Sequence, residues 1–248
     1  RIHAGNGALL AEYAIEKRVF VPINVIPKTV INAFISAEDK DFYNHFGLDL
    51  KATLRAFLTN IKNIGSQKRL IGASTITQQV AKNFLLTSEV SFERKIKEAI
   101  LSIRIERAFS KNEILELYLN EIYLGFGSYG VAAAALNYFD KSLDNLDLAE
   151  VAFLAALPKA PNNYHPIKKY NQAFERRNWV LSQMQKNGFI SNDTQEKESL
   201  KPINIRNSSG FDEGYAPYFT EEVRRLLVDN KNIGFKLYTN GYSVKTTL

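Results

Sequence analysis

The sequence predicts a mainly helical protein with a small sheet assembled from its two chain ends. Three observations carry this. From about residue 28 to residue 230, apolar side chains recur at helical spacing in one segment after another. Two capping boxes, Ser110 with Glu113 and Asp147 with Glu150, mark helix starts. Alternating runs suited to strands occur only near residues 8–22 and 235–248.

In order, residues 8–22 predict two short strands broken near Glu16 and Lys17. Helices follow over about 28–38 and 50–63, the second with Leu50, Leu54, Phe57, Leu58 and Ile61 on one stripe. Residues 63–72 read as a basic, glycine-bearing loop. Ser74 is placed to cap a helix running to about Leu86, and Ser91 or Phe92 opens the next, with Phe92, Ile96, Ile100 and Ile103 as its apolar stripe. The Ser110 box starts a helix that ends before Gly125–Gly130; VAAAALNYF then reads as a closely packed small-residue helix. The Asp147 helix stops before Pro158. A long helix over about 171–187 ends at Asn187-Gly188, 191–210 looks peripheral, and a helix over about 217–230 precedes a hairpin turning at Asn240-Gly241. Strands at the two ends are expected to pair with each other, since isolated hairpins are marginal.

The formal charge of +6 points to an anionic partner without choosing among phosphate, acidic membrane and nucleic acid. Zero cysteines exclude disulfides and thiolate metal sites. No apolar run approaches the roughly 18 residues of a spanning helix, and no signal-peptide pattern opens the chain, so a membrane anchor is expected outside it. Gly125–Gly130 matches G-x-G-x-x-G but follows a predicted helix, which rejects a dinucleotide site. No H-E-x-x-H, G-x-S-x-G or S-x-x-K occurs, and His3, His45 and His165 are scattered.

Three segments carry candidate chemistry. Glu38 and Asp39 stand where a helix runs out into an aromatic turn containing Phe42, Tyr43, His45, Phe46 and Gly47. A carboxylate partly desolvated there has a raised pKa and can trade protons near neutral pH; the bland alternative is a helix-end acid held by His45 or a lysine. Gly72–Gln79 supplies hydroxyls, amides and a helix start: Ser74, Thr75, Gln78 and Gln79. In Arg94–Glu98, Lys95 and Glu98 share a face at i,i+3, opposite the isoleucine stripe. If this helix lies beside the preceding one, Lys82, Arg94, Lys95 and Lys97 converge into a pyrophosphate site; otherwise they are a solvated charged face.

Five motifs in order now carry a resemblance: E-D-x-x-F-x-x-H-x-G at Glu38–Gly47, G-A-S-T-I-T-Q-Q at Gly72–Gln79, R-K-x-x-E at Arg94–Glu98, I-L-E-L-Y-L-N-E-I-Y-L-G at Ile114–Gly125 and L-A-E-V-A-F-L-A-A-L-P-K-A-P at Leu148–Pro161. Together the chain resembles the family 51 peptidoglycan glycosyltransferases, and its end resembles the linker of class A, 1A-type bifunctional penicillin-binding proteins. The resemblance implies a lysozyme-like helical head with a smaller membrane-facing lobe. It divides the chain into N-terminal linker strands (1–27), a glycosyltransferase domain (28–200) and a linker (201–248) to a transpeptidase domain absent here.

It further implies polymerisation of lipid II into glycan strands at the periplasmic face of the bacterial inner membrane. Glu38 would be the general base and Glu98 a second acidic residue. Lys82 and Lys95, with Arg94 and Lys97 beside them, would hold the donor pyrophosphate, optionally with Mg or Mn. Ser74, Thr75, Gln78, Gln79 and Asp39 would line the cleft. The partners implied are lipid II, the growing lipid-linked strand and the membrane surface, with no nucleic acid. One departure is Val90, where many members place an arginine. Phe84, Leu85 and Leu86 are expected to dip into the bilayer surface. Two rival readings are a lysozyme-like lytic enzyme and a non-catalytic basic binding module.

Overall fold

The computed structural model describes residues 2–11, 17–63, 72–85, 91–205, 217–238 and 242–247. Its strands are β1 (Ile2–His3), β2 (Leu9–Ala11), β3 (Lys17–Arg18), β4 (Ser128–Tyr129) and β5 (Val244–Lys245). Its helices are α1 (Lys28–Glu38), α2 (Leu50–Lys62), α3 (Ile76–Leu85), α4 (Phe92–Ala108), α5 (Lys111–Glu121), α6 (Val131–Phe139), α7 (Leu148–Ala156), α8 (Tyr170–Lys186), α9 (Asn192–Leu200) and α10 (Pro217–Asp229).

The core forms around α7, a helix apolar on every side and therefore enclosed. Its Val151–Ala156 are all buried, and it packs on α1 and α8, which also pack on each other. Val30, Ala33 and Phe34 face it from α1, and Val180 and Leu181 lie buried on α8. The alanines of α6 let that helix approach closely, with Ala132–Ala135 buried. α3 packs on α4 and α5. Both predicted capping boxes are present, and Ser91 caps α4 by accepting from the Arg94 backbone N–H. α8 ends at Gly188 with φ +76°, where the Phe189 N–H reaches the Met184 carbonyl at 2.9 Å.

The chain ends do pair. β1 lies between antiparallel β2 and parallel β5. Ile2, Ala4 and Leu10 form a small second core there with Phe219, Val223 and Val244.

Five expectations are corrected. The terminal hairpin is not formed as expected: Gly234–Tyr238 is a 3-10 helix, and β5 pairs with β1 rather than with the segment before it. The turn at Asn240-Gly241 includes residues outside the described set. Strands are not confined to the ends, because β4, in the glycine-rich segment, pairs parallel to β3. Residues 191–210 contain a helix, α9, whose last carbonyls are satisfied by the fully buried Arg177: its Nη2 donates to Lys201 O at 2.8 Å and to Ser199 O at 3.3 Å. Thr75, not Ser74, caps α3, with its hydroxyl accepting from Gln78 N and its own N–H donating to Gln78 Oε1.

The fifth correction concerns α4. Its isoleucine stripe points outward, with Ile96 and Ile100 about half exposed, while Glu98, Ser102, Ile105 and Glu106 face inward. Periodicity finds an apolar face without saying what covers it. Here polar residues are buried because each finds a partner: Thr77 of α3 and Lys111 of α5 donate to Glu106, Lys95 pairs with Glu98, and the Ser102 hydroxyl donates to the Glu98 carbonyl.

Candidate active site

Glu38 is the last residue of α1 and lies half-buried beside α3. Gln79 Nε2 donates to its Oε2 at 2.8 Å. Burial pushes the Glu38 carboxyl above the ordinary carboxylate range, and the Asp39 charge adds to this. The Gln79 bond and the charges of Arg176 and Lys159 pull the other way. The result is a base held ionisable in a desolvated place. Above it sits Tyr118 of α5, fully buried, its hydroxyl without a hydrogen-bond partner. Burial and the Glu38 and Asp39 charges push that phenol well up, so it stays protonated.

Asp39 is the α1 C-cap, and its carboxylate is committed to structure. His45 Nε2 lies 2.9 Å from both carboxylate oxygens, and the Ile76 N–H donates to Oδ2 at 3.0 Å. The acid therefore ties the aromatic turn to the start of α3, a favourable place for a carboxylate. His45 thus partners Asp39, not Glu38 as the bland reading offered. Thr75 Oγ1 donates to Gly47 O at 2.7 Å. Gly47 has φ +84°, and a Cβ there would meet Ser102 O at 2.9 Å, so the turn needs glycine to lie against α4. Lys111 Nζ closes the network, donating to His45 O at 2.8 Å and to Glu106 Oε1 at 2.7 Å; Thr77 Oγ1 donates to the same oxygen at 2.6 Å.

The second half of the site lies where α4 crosses the α3 N-terminus. Lys95 Nζ donates to Ser74 Oγ at 3.0 Å and is paired with Glu98. The Glu98 side chain is 3% exposed and that of Lys95 is 49% exposed, so the acid backs a cation that faces solvent. Lys82 is exposed one turn beyond Gln79, on the same side of α3. α3 thus bears Gln79 against Glu38, Lys82 beyond it, and Ser74 against Lys95 just before its first turn.

Of the predicted site residues, Glu38, Gln79, Lys82, Ser74, Lys95 and Glu98 are gathered around α3. Thr75, Gln78 and Asp39 are buried and hold its start in place. Arg94 is half-buried in the first turn of α4. Lys97 is turned away and pairs with Glu93 at 2.6 Å, both well exposed. Val90 lies outside the described residues. Sequence reasoning missed Tyr118, Lys159 and Arg176. Tyr118 and Lys159 sat inside quoted motifs without being singled out; Lys159 and Arg176 lie more than a hundred positions from Glu38, and only folding brings them near. No group of three His, Cys, Asp or Glu side chains able to hold a metal occurs among the described residues.

Comparisons with known proteins give the family. The transglycosylase family profile matches residues 6–185. The chain is 50% identical to penicillin-binding protein 1A of Rickettsia felis, covering all of this chain and 31% of that protein. It is 45% identical to that of Aquifex aeolicus (100% and 33%) and 43% identical to that of Pseudomonas aeruginosa (100% and 30%). The chain therefore spans about a third of the length of the curated relatives it matches. The crystal structure of penicillin-binding protein 1A from Haemophilus influenzae superposes with a TM-score of 0.58 at 30% identity, over 99% of this chain and 26% of that one. With the family profile covering the helical body and the Glu38 and Lys95 segments within it, the chain belongs to the transglycosylase family, as a peptidoglycan glycosyltransferase domain.

Proposed function

We propose that this domain polymerises lipid II, joining lipid-linked disaccharides into glycan strands with undecaprenyl pyrophosphate as leaving group. Glu38 takes the proton from the 4-hydroxyl of the acceptor sugar. The freed oxygen attacks the donor's anomeric carbon from the face opposite the pyrophosphate. The C–O bond to pyrophosphate breaks, and the configuration inverts. Lys95, steadied by Glu98 and Ser74, and Lys82 on α3 stabilise the charge growing on the leaving group, with Arg94 at the edge. Lys97 has no part in this reading, because it is held outward by Glu93. A positioned base contributes about 10²–10⁴-fold.

The observation carrying this reading is one helix linking base and cations: α3 holds Glu38 through Gln79 and bears Lys82, and Ser74 just before it holds Lys95. Glu98 is already engaged by Lys95, and no three-ligand group is present among the described residues. A resident protein-held divalent cation does not fit that donor set; Mg or Mn would instead accompany the substrate's own pyrophosphate oxygens.

The membrane surface is the proposed site of action. Leu50, Leu54, Phe57, Leu58 and Ile61 of α2 are 47–74% exposed, and Phe84, Ile96 and Ile100 are also exposed. An apolar surface of this kind suits a bilayer interface. Of the expected patch Phe84–Leu86, only the Phe84 side chain lies within the described set. No helix among the described residues is long and apolar enough to cross a membrane. We place the domain at the periplasmic face of the inner membrane, joined in the full-length protein to a penicillin-binding transpeptidase domain, in keeping with the third of its relatives' length that it covers.

The test is incubation with purified lipid II, following product length. Strand growth by wild type and its loss in Glu38→Gln are expected; a Glu38→Gln protein that polymerises at the wild-type rate would falsify the base assignment. Shortening of preformed glycan would favour a lytic enzyme instead.

A further inference from the structure

Beside Arg176, whose charge acts on Glu38, the described residues form an open recess of about 580 Å³. It is lined by Asn163, Tyr164, Lys169, Gln172, Glu175 and Arg176, from the loop after α7 and the first turns of α8. None of these was singled out by sequence reasoning, and none belongs to the leaving-group site.

We propose that this recess binds the peptide-bearing part of a muramyl-type sugar, with Arg176 and Lys169 taking a carboxylate of the stem peptide while Glu38 acts on or beside that sugar. The inference rests on the polymerase reading and extends it.

Four observations support it. The volume falls in the range of about 300–1,000 Å³ typical of ligand sites. The lining is that of a sugar-and-peptide site: amides at Asn163 and Gln172, a phenol at Tyr164 and two cations, with Glu175 as the single acid. Lys168 adjoins Lys169 at its rim, and the positive field is felt by His165, whose imidazole is pushed down by burial and then by Lys168 and Lys169. Finally, Arg176 is prepared for an anion. Its guanidinium stacks over Trp179 at 3.8 Å, and its Nε is buried with no hydrogen-bond partner. An arginine fork fixed in this way matches a carboxylate in geometry as well as charge.

Position supports the same assignment. α8 packs on α1, and the Arg176 and Glu38 charges act on each other. A sugar bound at Glu38 therefore lies next to the helix that carries Arg176. Lys169 Nζ donates to Asn163 Oδ1 at 3.1 Å, holding the rim in place while leaving the lysine exposed at its edge.

The experiment measures kcat/KM for lipid II with free stem-peptide carboxylates and for the same substrate with those carboxylates amidated. Wild type is expected to prefer the acidic form. Arg176→Gln is expected to reduce the acidic-to-amidated ratio about 10-fold or more, the size of one lost charge-assisted hydrogen bond. Arg176→Lys should restore part of it. Any effect of Arg176 on Glu38 itself cancels in this ratio. Lys169→Gln, at the exposed rim, serves as the second variant should Arg176→Gln fold poorly, and should lower the ratio in the same direction. A ratio unchanged in both variants overturns the proposal. Single-addition reactions that amidate either the incoming lipid II or the preformed strand identify which partner occupies the recess; either assignment supports it. Titration of a soluble disaccharide–peptide separates this idea from the polymerase reading. Binding that is lost in Arg176→Gln supports the recess even if no polymer forms, and wild-type polymerisation with no Arg176-dependent binding or ratio change sinks the recess alone.

Discussion

Replacing Asp39 by alanine separates the two halves of the site without touching either. Its carboxylate is the acceptor for two buried donors, His45 Nε2 and the Ile76 N–H. Each donor left unsatisfied costs about 1–3 kcal/mol, so Asp39→Ala should destabilise the fold by about 2–6 kcal/mol. For a chain of 248 residues, 1 kcal/mol corresponds to about 2–4 °C, giving a fall in Tm of roughly 4–24 °C. Asp39→Asn keeps one acceptor oxygen and should fall between wild type and alanine. Activity should drop further than stability explains. The start of α3 sets both Gln79 against Glu38 and Ser74 against Lys95, and a misplacement of about 1 Å costs on the order of 10²-fold. Thermal melts and lipid II polymerisation, the latter well below the melting range of the variant, provide the two readouts. An Asp39→Ala protein that melts with wild type and polymerises normally would show that this carboxylate does not set α3.

Three more outcomes are expected. Glu38→Gln should lose about 10²–10⁴-fold in polymerisation while raising Tm at neutral pH. The Glu38 carboxyl holds its proton more tightly folded than unfolded, so ionising it costs stability; wild type should gain stability as pH falls toward that raised pKa, and melts across pH should show the variant lacking this gain. Gly130→Ala should destabilise strongly, because φ is +82° with ψ +158° and a Cβ would sit 2.5 Å from Asn120 O; backbone strain alone is about 1–3 kcal/mol, read by urea unfolding. Lys95→Met should leave the buried Glu98 carboxylate without its lysine partner at a cost of about 1–3 kcal/mol, the half-exposed position of Lys95 letting water offset part of the loss. Adding Glu98→Gln should recover most of that stability and none of the polymerisation; recovered activity would remove Lys95 from leaving-group stabilisation.

How much was legible in the sequence differs between elements and site. Local signals were sufficient where local physics decides: the α1 end at Glu38, the capping boxes at Ser110 and Asp147, and the stop of α8 at Gly188. They failed where the deciding partner lies far along the chain. Ser74 has the right chemistry for a cap, but Lys95 draws its hydroxyl away and Thr75 takes the role. The α4 isoleucines have the right spacing for a core, but α3 needs the polar face of that helix.

By itself, the sequence determined the helical body, the pairing of the chain ends and the candidate acid and cations, because propensity, capping and period-3.6 patterning are properties of neighbouring residues. Only the tertiary structure decided that Asp39 is an anchor for α3, that Lys97 faces away, and that Arg176 and Lys159 stand near Glu38. Those assignments depend on charge, burial and hydrogen bonds between segments tens to more than a hundred residues apart, and no local pattern encodes such distances.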